Sequence, residues 1–229
     1  MLQTAPGAGK VLSCPAMDEE GPLPAHRQAL TDLLADVVRT ETAGAAGVSA
    51  LVAALGSALA GKVAQVTTGR EGFEAMTEEM QRVANRGSQL AEKLAAVIDQ
   101  DPQIRLRLTQ AFYLPQATPD EASIRQSCLD LALKSVVQLP MAVAESAIEV
   151  MRLAETTSRY GNPAAAPEAG LALALAIASV KGAVAAALTG LKNVEDEVFV
   201  DNTRAQMAEM LDKVGELERE LSEMPLTVG

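Results

Sequence analysis

Three observations on the sequence predict an all-α protein. From Pro22 and Pro24 onward alanine, leucine, glutamate, lysine and methionine dominate, and the apolar/polar alternation of half-buried strands is missing. Apolar residues recur at the three- and four-residue spacing of one helix face. The breaks between these stretches carry glycine and proline where helices end and start. The expected architecture is a multihelical bundle of about six helices, two of them Ala/Gly-rich and buried on all sides. Alanine buries little area per residue, so such helices depend on close backbone approach or on a partner subunit, and a homodimer is expected.

Residues 1–24 are read as a flexible lead-in and residues 25–229 as one helical domain. In the lead-in, Val11-Leu12-Ser13-Cys14 loosely resembles a lipoprotein cleavage box. Lys10 abuts it, however, and Pro6, Gly7 and Gly9 stand where a signal needs an apolar stretch. Gly7-Ala8-Gly9-Lys10-Val11 matches the end of a phosphate-binding loop by chance, since Thr4 stands at the motif's first glycine and Val11 at its hydroxyl position. Leu30, Leu33, Leu34, Val37 and Val38 form one stripe and predict a helix over 25–39. The glycine cluster at 42–47 breaks it. A second, buried helix is expected over 48–67, with Gly69 as its left-handed cap. A third, over 73–99, puts Met76, Met80, Val83, Leu90, Leu94 and Val97 on one face. Asp101 then reads as an N-cap and Pro102 as the first residue of a short helix to Tyr113. Thr118-Pro119-Asp120-Glu121 opens a long helix, which Pro140 is expected to kink and Gly161-Asn162-Pro163 to stop. Pro167-Glu168 starts the second buried helix, and 194–224 forms a polar, charge-laced last one.

Composition narrows the chemistry. Of 229 residues, 19 are Lys or Arg and 30 are Asp or Glu, a net charge of −11, which is the wrong sign for nucleic acid or an anionic membrane surface. The apolar stretches 44–66 and 171–191 are interrupted by Lys62 and Lys181, so neither is expected to span a membrane, and a cytoplasmic location is expected. Each lysine must snorkel, pair with an acid or line a cavity. Cys14 and Cys128 are too few for a disulfide framework, and one histidine, His26, leaves few metal sites or His-dependent triads, so no metal is expected. Chemistry must run on carboxylates, lysines, hydroxyls and backbone dipoles.

The order of landmarks resembles a known family. Val48-Ser49-Ala50-Leu51-Val52-Ala53-Ala54-Leu55-Gly56, then Thr67-Thr68-Gly69-Arg70-Glu71-Gly72-Phe73-Glu74, look like the first buried helix and following turn of the cyclodeaminase/cyclohydrolase family. Val97-Ile98-Asp99-Gln100-Asp101, Leu114-Pro115, Leu139-Pro140, Gly161-Asn162-Pro163 and Leu191-Lys192 follow in the family's order, over roughly residues 26–222. The family comprises the cyclodeaminase domain of formiminotransferase-cyclodeaminase and bacterial methenyltetrahydrofolate cyclohydrolases. The resemblance implies a homodimeric helical bundle and one-carbon chemistry on a tetrahydrofolate derivative. Either water opens the methenyl ring, or a formimino group cyclises and releases ammonia.

The departures fall where the resemblance puts the site. The family's T-P-G-G-G-S loop appears as Thr42-Ala43-Gly44-Ala45-Ala46-Gly47, keeping Thr42 and Gly44. Its D-A-x-A-F run keeps only Asp101, and Arg105 stands at the phenylalanine. Its G-N-x-N-x-x-S-D segment keeps Gly161 and Asn162, with Glu168 at the aspartate; its N-L-K keeps Leu191 and Lys192 after Gly190. Asp101 and Glu168 are therefore the expected proton-handling carboxylates, against the plainer roles of helix cap and first-turn acid. Thr42, Gly44, Lys62, Gly161, Asn162 and Lys192 are the expected ligand contacts. The expected function is a cyclohydrolase or cyclodeaminase type of folate enzyme, or a relative on a related ligand. The alternative is a non-catalytic paralogue that keeps the dimeric scaffold. An enzyme should show, between subunits, a pocket lined by Gly44, Asp101, Glu168 and Lys62, where a scaffold protein fills the space with Val48, Ile104, Ala164 and Pro167.

Overall fold

A computed structural model describes residues 34, 35, 37 and 44–223. The chain divides into two units, Met1–Ala35 and Asp36–Gly229, and all the helices named here belong to the second. The helix expected over 25–39, together with Thr42, His26 and Cys14, lies outside the described residues apart from Leu34, Ala35 and Val37. Five α-helices are present among the described residues, without a strand: α1 (Ala45–Thr67), α2 (Thr77–Phe112), α3 (Pro119–Tyr160), α4 (Ala166–Leu191) and α5 (Glu197–Glu223). Helix α1 packs against α2, α3 and α4, while α5 lies on α3 and α4.

Small residues set how close the helices come. A Cβ on Gly87 of α2 would stand 3.0 Å from the Ser57 carbonyl oxygen and 3.1 Å from the Gly61 Cα of α1, and one on Gly56 would stand 3.0 Å from the Ala172 carbonyl oxygen of α4. At this separation serine hydroxyls bridge the helices: Ser57 donates to the Gly87 carbonyl at 2.7 Å, and Ser179 to the Ser49 carbonyl at 2.7 Å. Bonds of this kind satisfy polar groups in a core otherwise built from Ala50, Ala53, Ala60, Ala172, Ala176 and Ala183.

Most helix boundaries follow their turn residues, although α1 starts at Ala45 rather than at 48 and α2 at Thr77 rather than at 73, after a short 3-10 turn over Glu74–Met76. Helix α1 ends at Thr67, Thr68 turns extended, and Gly69 takes the left-handed φ of 72°. Helix α3 opens with a complete capping box, in which Thr118 Oγ1 accepts from the Glu121 N–H and Glu121 Oε2 accepts from the Thr118 N–H. It continues through Pro140 to Tyr160, and Gly161 then breaks out in extended conformation. The larger departure is in α2, which runs unbroken where two helices were expected: Pro102 lies inside it and Asp101 is not its N-cap. The reason is that the Asp101 side chain has partners elsewhere, described below.

Burial of α1 and α4 also differs from expectation. Neither is buried on all sides: Leu55 is 52% exposed, Val66 44%, Leu171 51% and Leu188 46%, so each helix keeps an open apolar stripe. By length and composition α1, α3 and the segment Pro163–Leu191 are also long and apolar enough to cross a membrane. This corrects the expectation for Lys62 and Lys181, because one lysine does not offset a long run of alanine, leucine and valine. In the bundle these segments spend much of their apolar surface on one another.

Candidate functional site

Helix α1 begins at Gly44 with no side-chain cap of its own and no acid in its first turn. The missing cap comes from α2. Asp101, only 5% exposed, accepts from the Gly44 N–H at 2.8 Å and from the Gly47 N–H at 3.3 Å, both on Oδ2. A carboxylate is thus placed at the positive end of the α1 dipole by a residue 57 positions away. This early cap explains why α1 starts three residues before the expected position. Gly47 is needed for the approach, since a Cβ there would stand 3.3 Å from Asp101 Oδ2.

The other carboxylate oxygen meets Arg105, one turn further along α2, whose Nε donates to Asp101 Oδ1 at 3.2 Å. The guanidinium lies against Gly44, where a Cβ would overlap Arg105 Nη2. Two acceptor positions of Asp101 are taken by backbone N–H groups and one by Arg105, leaving one on Oδ1. A cavity of about 450 Å³ opens beside this cluster. Asp101, Arg105 and Thr109 line it from α2, Ala45 and Ala46 from α1, Leu139 and Pro140 from α3, and Thr189 and Gly190 from α4, with Asn193 just beyond. Among the described residues Asp101 and Arg105 are its only charged lining residues. Ile104 forms part of the wall rather than a plug.

The second cluster sits at the other end of α1. Lys62 Nζ donates to Glu168 Oε1 at 2.9 Å, an exposed pair between α1 and the first turn of α4. The Lys62 ammonium holds the Glu168 carboxyl below its usual range, with help from the Glu168 backbone N–H. Beside it, Thr67 Oγ1 accepts from the Asn162 N–H at 2.9 Å and donates to the Val63 carbonyl, while Asn162 Oδ1 accepts from the Ala164 N–H. Gly161 is required here because a Cβ would overlap the Thr157 carbonyl oxygen and stand 2.9 Å from Val63. Gly161 and Asn162 therefore pin the end of α3 to the end of α1. Lys181 is paired as well, with Glu218 of α5 at 2.6 Å.

The structure thus brings Gly44 and Asp101 together, and separately Lys62, Gly161, Asn162 and Glu168. Lys192 is exposed at the end of α4, one residue before Asn193. Eighteen residues of α1 separate Gly44 from Lys62, about 27 Å along the axis. Arg105, Thr109, Thr189 and Asn193 are the polar lining residues not foreseen as contacts. Their one local signal is that Asp101, Arg105 and Thr109 recur every four residues and so share a helix face. Among the described residues no group of three or more His, Cys, Asp or Glu side chains is placed to hold a metal ion.

Comparison with known proteins adds to this geometry. A family model described as formiminotransferase-cyclodeaminase matches residues 29–209. The formimidoyltransferase-cyclodeaminase of Rattus norvegicus is 29% identical over 175 residues, covering 76% of this chain and 32% of that protein. The methenyltetrahydrofolate cyclohydrolase of Methylorubrum extorquens is 26% identical over 182 residues, covering 80% of this chain and 88% of that one. The chain therefore spans about a third of the length of the rat protein and most of the bacterial one. A crystal structure of formiminotetrahydrofolate cyclodeaminase from Thermotoga maritima shares the fold, with a TM-score of 0.72 at 24% identity, over 82% of this chain and 89% of that.

Proposed function

We propose, from the premise that the chain belongs to the formiminotransferase-cyclodeaminase family, that it acts on a tetrahydrofolate derivative and opens or closes the 5,10-methenyl ring. The observation that carries this reading is the family match over 29–209, which contains the cavity with the buried carboxylate of Asp101 in its wall. The chain covers most of a bacterial cyclohydrolase and most of a bacterial cyclodeaminase, and the hydrolytic direction is taken up first. Nothing in the comparisons favours a non-catalytic paralogue.

In that direction water adds to the methenyl carbon and loses a proton; the hydroxyl of the adduct then gives up its proton as one C–N bond breaks, the freed nitrogen takes up a proton, a formyl group remains on the other nitrogen, and one net proton is released. Asp101 cannot move, because three of its acceptor positions are occupied. Its role in this reading is to hold a water with the remaining Oδ1 position, in a setting of fixed dipoles. Glu168, held ionised by its pair with Lys62, is in this reading the second carboxylate, which accepts the proton that water loses. No step in this scheme calls on a metal.

A homodimer is part of the proposal, and so is a cytoplasmic location. The open apolar stripe of α1, with Leu55 near its middle, offers a face for a second copy. Antiparallel packing of the two α1 helices about a two-fold axis would bring the Asp101 end of one protomer to the Glu168 end of its partner. Gly161, Asn162 and Lys62 then shape the partner's side of the site, with Lys192 at its rim.

The test is loss of the methenyl absorbance of 5,10-methenyltetrahydrofolate on adding protein, with ammonia release from 5-formiminotetrahydrofolate measured in parallel. Acceleration in either assay supports the reading. Rates equal to the spontaneous ones in both refute it.

A further inference from the structure

We infer that Arg105 is the specificity-determining residue of the α2 cavity and selects ligands that carry a carboxylate. The inference rests on the folate reading and deepens it. Arg105 spends only its Nε hydrogen on Asp101; among the described residues its four Nη hydrogens have no acceptor. Its side chain is half exposed and lines the cavity, whose other walls are mostly Ile104, Leu108, Val136, Leu139, Pro140 and Ala186. The polar neighbours Thr109, Thr189 and Asn193 take no hydrogen bond from those donors, and among the described residues Asp101 is the only acid in the lining.

The charges also add up in favour of an anion. Asp101 carries one negative charge, which the α1 N-terminus offsets by about half and Arg105 by a whole unit, so the cluster is left slightly positive. This holds although the whole chain carries −11. A guanidinium edge with free parallel donors takes a carboxylate in two hydrogen bonds, a geometry that a lysine does not reproduce. Gly44 makes room for it: any larger residue at 44 would displace the guanidinium. On a tetrahydrofolate derivative the matching group is the glutamyl carboxylate, and a pteroate analogue ending at the benzoyl amide lacks it.

The experiment is calorimetric titration of the full chain with 5,10-methenyltetrahydrofolate and with the corresponding methenyltetrahydropteroyl amide. Wild type is expected to bind the glutamyl compound about tenfold or more tightly, the factor of a charge-assisted pair. Arg105→Met should bring the ratio of the two affinities to about one, and Arg105→Lys should keep only part of it. Thermal unfolding separates this from a purely structural role, which would lower the melting temperature and leave the ratio intact. Equal affinity for both compounds in wild type, or the full ratio in Arg105→Met, overturns the inference and leaves the folate reading standing. Absence of heat with both compounds overturns the folate reading and this inference together.

Discussion

Asp101→Ala is the perturbation whose consequence the structure defines most fully. The residue is 5% exposed and is, among the described residues, the only side-chain cap of α1, through the Gly44 N–H at 2.8 Å and the buried Gly47 N–H at 3.3 Å. Truncation removes an N-cap, which costs about 1 kcal/mol. It also leaves a buried N–H and the Arg105 guanidinium without their charged acceptor, at about 1.5–3 kcal/mol for a hydrogen bond to a charged group. The two overlap, so the expected loss is about 2–4 kcal/mol. In a unit of this size each kcal/mol lowers the melting temperature by roughly 2–4 °C, which gives a drop of about 5–15 °C. Asp101→Asn should fall in between: its carbonyl still accepts the two glycine N–H groups, while its amide faces Arg105 donor to donor. Urea unfolding at neutral pH, fitted for midpoint and slope, measures both variants. An Asp101→Ala protein within about 0.5 kcal/mol of wild type, near the scatter expected of ordinary surface substitutions, would refute the capping argument.

Other expectations follow from the same geometry. Glu168 is held below its ordinary pKa by Lys62, so the pair's contribution is present at neutral pH and lost as pH falls through the lowered value. Unfolding curves of wild type and Glu168→Gln should therefore differ slightly at pH 7 and converge in acid; a gap that persists in acid would exclude the ion pair as its source. Gly161→Ala forces a Cβ against the Thr157 carbonyl and Val63, and should cost about 1–3 kcal/mol in urea unfolding; a neutral effect would mean that the α3 end is free to shift. Ser179→Ala removes a buried inter-helix hydrogen bond and should cost about 1 kcal/mol. Light scattering should give twice the chain mass for wild type and a shift towards the single-chain mass for Leu55→Asp, and a monomeric wild type would rule out the composite site.

The fold was legible because its turns are local. Thr118 to Glu121, Gly69 and Gly161 to Pro163 each act within a few residues, so their spacing announces them. Asp101 misled for the same reason: an aspartate before a proline carries the signature of a local N-cap, while its partners at Gly44 and Gly47 lie more than fifty positions upstream and leave no trace in the spacing. Lys62 and Glu168, 106 positions apart, were singled out separately and could not be recognised as a pair. Composition marked α1 and α4 as buried, but a run of alanine, leucine and valine does not say which stripe stays open. Arg105 was visible as a residue four positions after Asp101; its contact with Gly44 exists only once α1 and α2 are packed.

The central claim is that the cavity beside Asp101 holds a methenyl-type folate. Its most direct test is calorimetric titration of wild type and Asp101→Asn with 5,10-methenyltetrahydrofolate, well below the melting temperature of either, with ring opening followed by absorbance on the same samples. The account predicts saturable binding and accelerated ring opening in wild type, both at least tenfold weaker in the folded variant. Binding and turnover unchanged in Asp101→Asn would place the site elsewhere on the bundle, and no heat with wild type would contradict the claim outright.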